Sequence, residues 1–190
     1  MKKIIYVIIF LIIFIGNKNY IELNNLAIIT NISIVKEKEN YKVTFQEIIP
    51  KREDNKVVKN FKYYTNTSNS LQHAFYNLEE DVTKEVYLEH LENIIIKTDD
   101  INIIYDLDKF LKSDLDNFNV ILSDTDPVKI LDYNNSYKYV NNLIKDNITL
   151  RSIKKAKLEN KEIKIPIVKI DKNKRLIFYK YDELRGNNNA

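Results

Sequence analysis

The 190-residue chain contains no cysteine and no tryptophan, with only two glycines, two histidines, three prolines and one methionine. Without cysteine there can be no disulfide, no thiolate nucleophile, no lipid-modified cysteine and no sulfur-ligated metal. With glycine only at Gly16 and Gly186, there is neither a glycine-rich phosphate loop nor a strained nucleophile elbow. His73 and His90 lie far apart and lack the spacing of a zinc-protease helix, so both are read as surface or packing residues. No single sign of charge dominates. Thirty basic and 27 acidic side chains are interspersed, giving a net charge of +3. A nucleic-acid binder would gather its basic residues on one face. The densest run, Lys154-Lys155-Ala156-Lys157, is explained by a solvated helix face.

Hydrophobic residues make up 44% and charged residues 30%, ordinary for a globular chain with a core to bury. Asn, Ile, Lys and Tyr are abundant, a bias that AT-rich codons produce. Met1-Lys2-Lys3 precedes an unbroken apolar run from Ile4 to Ile15. That order is a signal or anchor segment, 1–16, with the lysines held inside and the remaining chain exported. The run is short for a stable spanning helix. No small-x-small cleavage site stands near Gly16.

Beyond it, Ile28, Thr30, Ile32 and Ile34 alternate as on one face of a strand. Tyr41, Val43 and Phe45 alternate with Lys42, Thr44 and Gln46, which predicts the returning, half-buried strand of a hairpin. Pro50 to Asn60 reads as a loop, and Phe61 to Thr65 as a third strand. Leu71, Ala74, Phe75 and Leu78 form a helical stripe that Ser68 or Ser70 can cap. Leu91–Lys97 reads as a buried strand. Asp99 or Asp100 caps a helix with the stripe Ile103, Leu107, Phe110 and Leu111. Val120–Leu122 predicts a strand and Pro127–Leu131 a helical turn. Asp124 and Asp126 fit a turn and cap, since a calcium loop needs more oxygen ligands and a glycine.

The polar stretch Tyr133–Ser136 is the expected boundary. After it, Tyr139, Val140, Leu143 and Ile144 form a stripe, and Thr149–Leu158 suits a second helix. Ile163–Ile170 reads as a strand whose Pro166 favours an edge, and Leu176–Tyr181 as its returning partner. The expected class is α+β, a mixed or antiparallel sheet flanked by helices with the start of a second, smaller α/β unit. The expected divisions are 1–16, 20–132 and 137–186. No catalytic, cofactor-binding or metal-binding residue is assigned.

Several segments resemble one family. Glu22-Leu23-Asn24-Asn25-Leu26-Ala27, Glu85 to Ile96 with its Leu88-Glu89-His90-Leu91 centre, and Ile177 through Gly186 look like stretches of the C subunits of spore germinant receptors, the GerC-type proteins. Their order and spacing carry the resemblance from about Glu22 to Gly186. It implies a non-enzymatic receptor subunit at the outer face of the spore's inner membrane, assembled with membrane-embedded A and B subunits, and no cofactor. The chain departs from the pattern where Asn17 follows Gly16 in place of the lipid-bearing cysteine. Asn31 and Asn69 stand near family glycines, and asparagine tolerates left-handed backbone. The family pattern also continues into a third domain, beyond Ala190. Three other readings stand beside it: a truncated, non-functional paralogue, an exported solute-binding module and a surface enzyme.

Overall fold

A computed structural model describes residues 25–53, 56–109, 111, 115–133, 142–144 and 147–184. The expected segment 1–16 and the stripe residues Tyr139 and Val140 lie outside these, as does Phe110.

The strands are β1 (Leu26–Glu37), β2 (Asn40–Glu53), β3 (Lys56–Ser68), β4 (Glu85–Tyr87), β5 (Asn93–Lys97), β6 (Asn119–Ser123), β7 (Ile163–Ile170) and β8 (Leu176–Leu184). The helices are α1 (Leu71–Asp81), α2 (Pro127–Leu131) and α3 (Leu150–Leu158), with a 3₁₀ helix at Thr98–Lys109. One mixed sheet runs in the order β3-β2-β1-β5-β6-β7-β8, and β4 pairs with β1. β1, β5, β6 and β7 run parallel, while β2, β3 and β8 join as antiparallel hairpin partners. The class is α+β. Residues 163–184, assigned from the sequence to a second unit, supply the last two strands of this same sheet.

Both faces of the sheet are covered, which explains the uninterrupted apolar runs of β5 and β6. Ile94, Ile96, Val120 and Leu122 point into the larger core with α1, the 3₁₀ helix and α3. Ile95 and Ile121 point the other way, into a smaller cluster with Ile130 and Leu131 of α2. The stripe Leu71, Ala74, Phe75 and Leu78 is the buried face of α1, and Ser70 caps it by accepting from the His73 N–H. Phe45 meets Phe75 edge to face, with centroids 5.5 Å apart.

Three expectations are corrected. Of the expected loop Pro50 to Asn60, residues 50–53 and 56–60 are strand, because β2 and β3 stay paired from Tyr41↔Ser68 to Glu53↔Lys56. Pro50 is accommodated on a strand that has lost its other neighbour. The alternation of β1 does not keep one phase. A register shift between Ile29 and Asn31 puts Ala27 and Ile29, then Ile32 and Ile34, into the same core. Pro166 is not on an edge strand, since β8 lies outside β7. The β6–β7 ladder instead begins just after it, at Leu122↔Ile167, so the missing N–H costs no bond there. Asp100 stands at a kink in the 3₁₀ helix, and its carboxylate accepts from the Lys36 N–H of β1 at 2.8 Å. β4 carries no sequence expectation, being only three residues long.

Candidate interaction surface

The residues singled out from the sequence are not brought together. His73 is exposed on α1, and His90 is exposed beside the Tyr87 ring. Asp126 caps α2 through the Val128 N–H, and Lys157 of α3 stacks on Tyr105. Among the described residues, no group of three or more His, Asp or Glu side chains could hold a metal ion. No described helix is long and apolar enough to cross a membrane. Asn31 and Asn69 do not take the left-handed backbone expected of glycine replacements. Among the described residues, that conformation falls at Lys38, Asn160 and Lys174.

Asn31 is used differently. Tyr63, Gln46, Asn31, Asn93 and Asn119 are register partners on five successive strands, β3-β2-β1-β5-β6. In-register partners share a face, so their side chains form one polar row across the sheet. The row is bonded head to tail. Asn119 donates to Asn93 at 3.2 Å, Asn93 to Asn31 at 2.8 Å, and Asn31 to Gln46 at 2.6 Å. Gln46 then donates to the Tyr63 hydroxyl at 3.1 Å and to the Leu131 carbonyl at 2.9 Å. That carbonyl ends α2, where a helix leaves its last oxygens without internal partners. Tyr63 donates to it as well. Burial raises the Tyr63 hydroxyl above its ordinary pKa, which keeps it a neutral donor. Asn31, Gln46 and Asn93 are almost wholly buried. Each would be costly alone and is tolerable in a chain of satisfied bonds. The signal in the sequence is asparagine where strands disfavour it: Asn93 and Asn119 each stand just before three apolar residues.

On the opposite face, Glu47 is buried to within 1% of full burial. One carboxylate oxygen meets Lys84 at 2.8 Å, and the other accepts from the Tyr64 hydroxyl at 2.8 Å. Glu47 marks the point where the sheet divides. The β1–β2 ladder ends at Ile29↔Glu47, and the two strands diverge around a cleft of about 130 Å³ lined by Leu26, Ile28, Ile48, Ile49, Pro50 and Lys84. Past the cleft β2 and β3 continue alone as a two-stranded ribbon. Leu26, Ile28, Ile48 and Ile49 are half-buried and Pro50 is exposed.

Compared with known proteins, the family model described as the spore germination protein N-terminal domain matches residues 19–160. The match takes in the fold from β1 to the end of α3. No curated protein and no solved structure matches the chain.

Proposed function

This chain belongs to the spore germination protein N-terminal domain family and has a role in spore germination, and from that premise we propose that it is a non-enzymatic subunit of a nutrient germinant receptor. In this reading it sits on the outer face of the spore's inner membrane and assembles there with the membrane-embedded A and B subunits. The observation that carries the reading is the family match, which spans well over half of the chain. Two further features support it. The basic pair and apolar run of residues 2–15 suit export and tethering, and a short linker separates them from β1. The divided end of the sheet, with its half-buried apolar residues, lies at the start of β1.

The test is made in the native organism. Deleting the gene should abolish germination with at least one nutrient, scored as loss of spore refractility, and restoring the intact gene should rescue it. A tagged chain should co-purify with an A subunit from spore membranes. Normal germination with every nutrient, together with no co-purification, would replace this reading with that of a non-functional paralogue.

A further inference from the structure

Among the described residues the sheet ends at β8, which lies outside β7. The strand is nine residues long, and an edge of that length is a template for pairing with another strand. At the opposite edge, β3 carries Lys56, Lys59 and Lys62, the residue type that discourages such pairing. β8 carries one lysine, Lys180, set between Tyr179 and Tyr181, which are 47% and 36% exposed.

The geometry of β8 restricts how a second strand can join it. A register shift between Ile167 and Val168 leaves Tyr179 as an extra residue, a bulge that interrupts the outer edge. The regular part is residues 180–184, paired residue for residue with 163–167. Lys180 and Asp182 stand opposite Ile167 and Ile165, and so share the face of the larger core. There they line one open cleft with Asp99 and Asp124. Tyr181 is on the other face, its ring centroid 5.0 Å from that of Phe178. The Lys180 ammonium lies 5.7 Å from the centre of the Tyr179 ring, and the Asp182 carboxylate accepts from the Glu183 N–H at 2.9 Å. Among the described residues neither Lys180 nor Asp182 forms an ion pair.

Two copies of one strand that pair antiparallel are related by a two-fold axis. Directly opposed residues share a face, so the axis falls on a residue that meets its own copy. Within 180–184 the charge pattern selects that residue. An axis at Lys180, Asp182 or Glu183 sets a charge against itself, and an axis at Leu184 leaves only the end of the strand. An axis at Tyr181 does the reverse. Lys180 of each copy then meets Asp182 of the other, on the face where Asp99 and Asp124 add to the negative field. On the opposite face the two Phe178–Tyr181 ring pairs meet at Tyr181. We propose that β8 pairs antiparallel with β8 of a second copy about Tyr181, joining two sheets into one through reciprocal Lys180–Asp182 contacts. The inference goes beyond the receptor reading and does not depend on it. So short a contact falls below the roughly 1,200 Å² of a stable interface, and the dimer is expected to form in the micromolar range.

The full chain is kept in a mild detergent that covers its apolar N-terminal run, and sedimentation equilibrium follows its mass up to about 0.1 mM. Lys180→Glu and Asp182→Lys should each weaken the dimer about tenfold or more, because each turns two attractive pairs into repulsive ones. The double variant exchanges the signs and should dimerise like the original chain, a recovery that a folding defect would not allow. With no cysteine in the chain, a single thiol gives a second reading. Opposed residues of antiparallel strands lie about 4.5–5.5 Å apart at Cα, within disulfide range, so Tyr181→Cys should cross-link on mild oxidation. Tyr179→Cys, with its two copies about 13 Å apart along the strands, should not. A chain that stays monomeric at about 0.1 mM overturns the proposal. So does a dimer that ignores both charge reversals, as one held by the apolar N-terminal run would. Equal cross-linking at Tyr179 and Tyr181, or a double variant that stays as weak as the single ones, overturns it too.

Discussion

Asn93 is held at both ends, donating to Asn31 and accepting from Asn119, and it is almost wholly buried. Asn93→Ala would strand the Asn31 oxygen in the interior and interrupt the row. The expected loss is about 2 kcal/mol, read as a lower urea midpoint with an unchanged slope. Glu47 raises a sharper question, because removing Lys84 leaves a buried carboxylate with only the Tyr64 hydroxyl. Lys84→Met is expected to cost roughly 2 kcal/mol, below the range for a fully buried pair because Lys84 itself is partly exposed. Glu47→Gln, which keeps a hydrogen-bonding group there, should cost less in the same urea titration. Glu92 gives a pH signature. Burial raises its carboxyl above the ordinary range, and the charges of Lys59 and His90 pull it only some of the way back. The stability this group contributes is present below the usual carboxylate pKa and is lost as pH rises through its higher folded value. Glu92→Gln should therefore stabilise the chain at pH 7 and change nothing in acid, where both forms are neutral; melting curves at the two pH values would show it. None of these roles can be read from single positions. The apolar positions of Tyr41, Val43 and Phe45 were legible, but burial of Thr44 and Gln46 depends on what covers the far face.

The helices were the most legible elements, since a stripe at helical spacing needs no knowledge of the neighbours. α1 shows why: Leu78 is fully buried, and Tyr76, two residues away, is 58% exposed. Leu78→Ala is expected to cost about 3 kcal/mol and Tyr76→Ala almost nothing, a contrast that thermal melts of the two variants would measure. The hairpin was half legible. Its buried portion alternates, but Ile48 to Lys62 mixes charge, proline and β-branched residues, and its pairing is dictated by the register set further in. Pro166 misled for a related reason. A proline excludes a ladder bond at its own nitrogen, and here the neighbouring ladder starts one residue later. β4 is held by β1 rather than by its own sequence.

At the scale of the molecule, the class was legible from a hairpin followed by helices and short apolar runs, while the strand order was not. Parallel pairing of β1 with β5 and of β5 with β6 depends on crossovers through α1 and the 3₁₀ helix, whose packing no local pattern encodes. The order itself predicts how the molecule opens. Amide hydrogen exchange should be slowest in β5 and β6, which contribute to both hydrophobic clusters, and fastest in the ribbon strands Ile48–Glu53 and Lys56–Lys62. The position of β1 has a mechanical consequence as well. The described fold begins with an interior strand, bonded to β2 from Ile29 to Glu37 on one side and to β4 and then β5 on the other. A pull on the N-terminal end of that strand strains many hydrogen bonds together, in shear. An entry through an edge strand such as β8 would let them break in succession, each bearing the load alone. A domain built in this way resists unfolding when it is pulled from its N-terminal side.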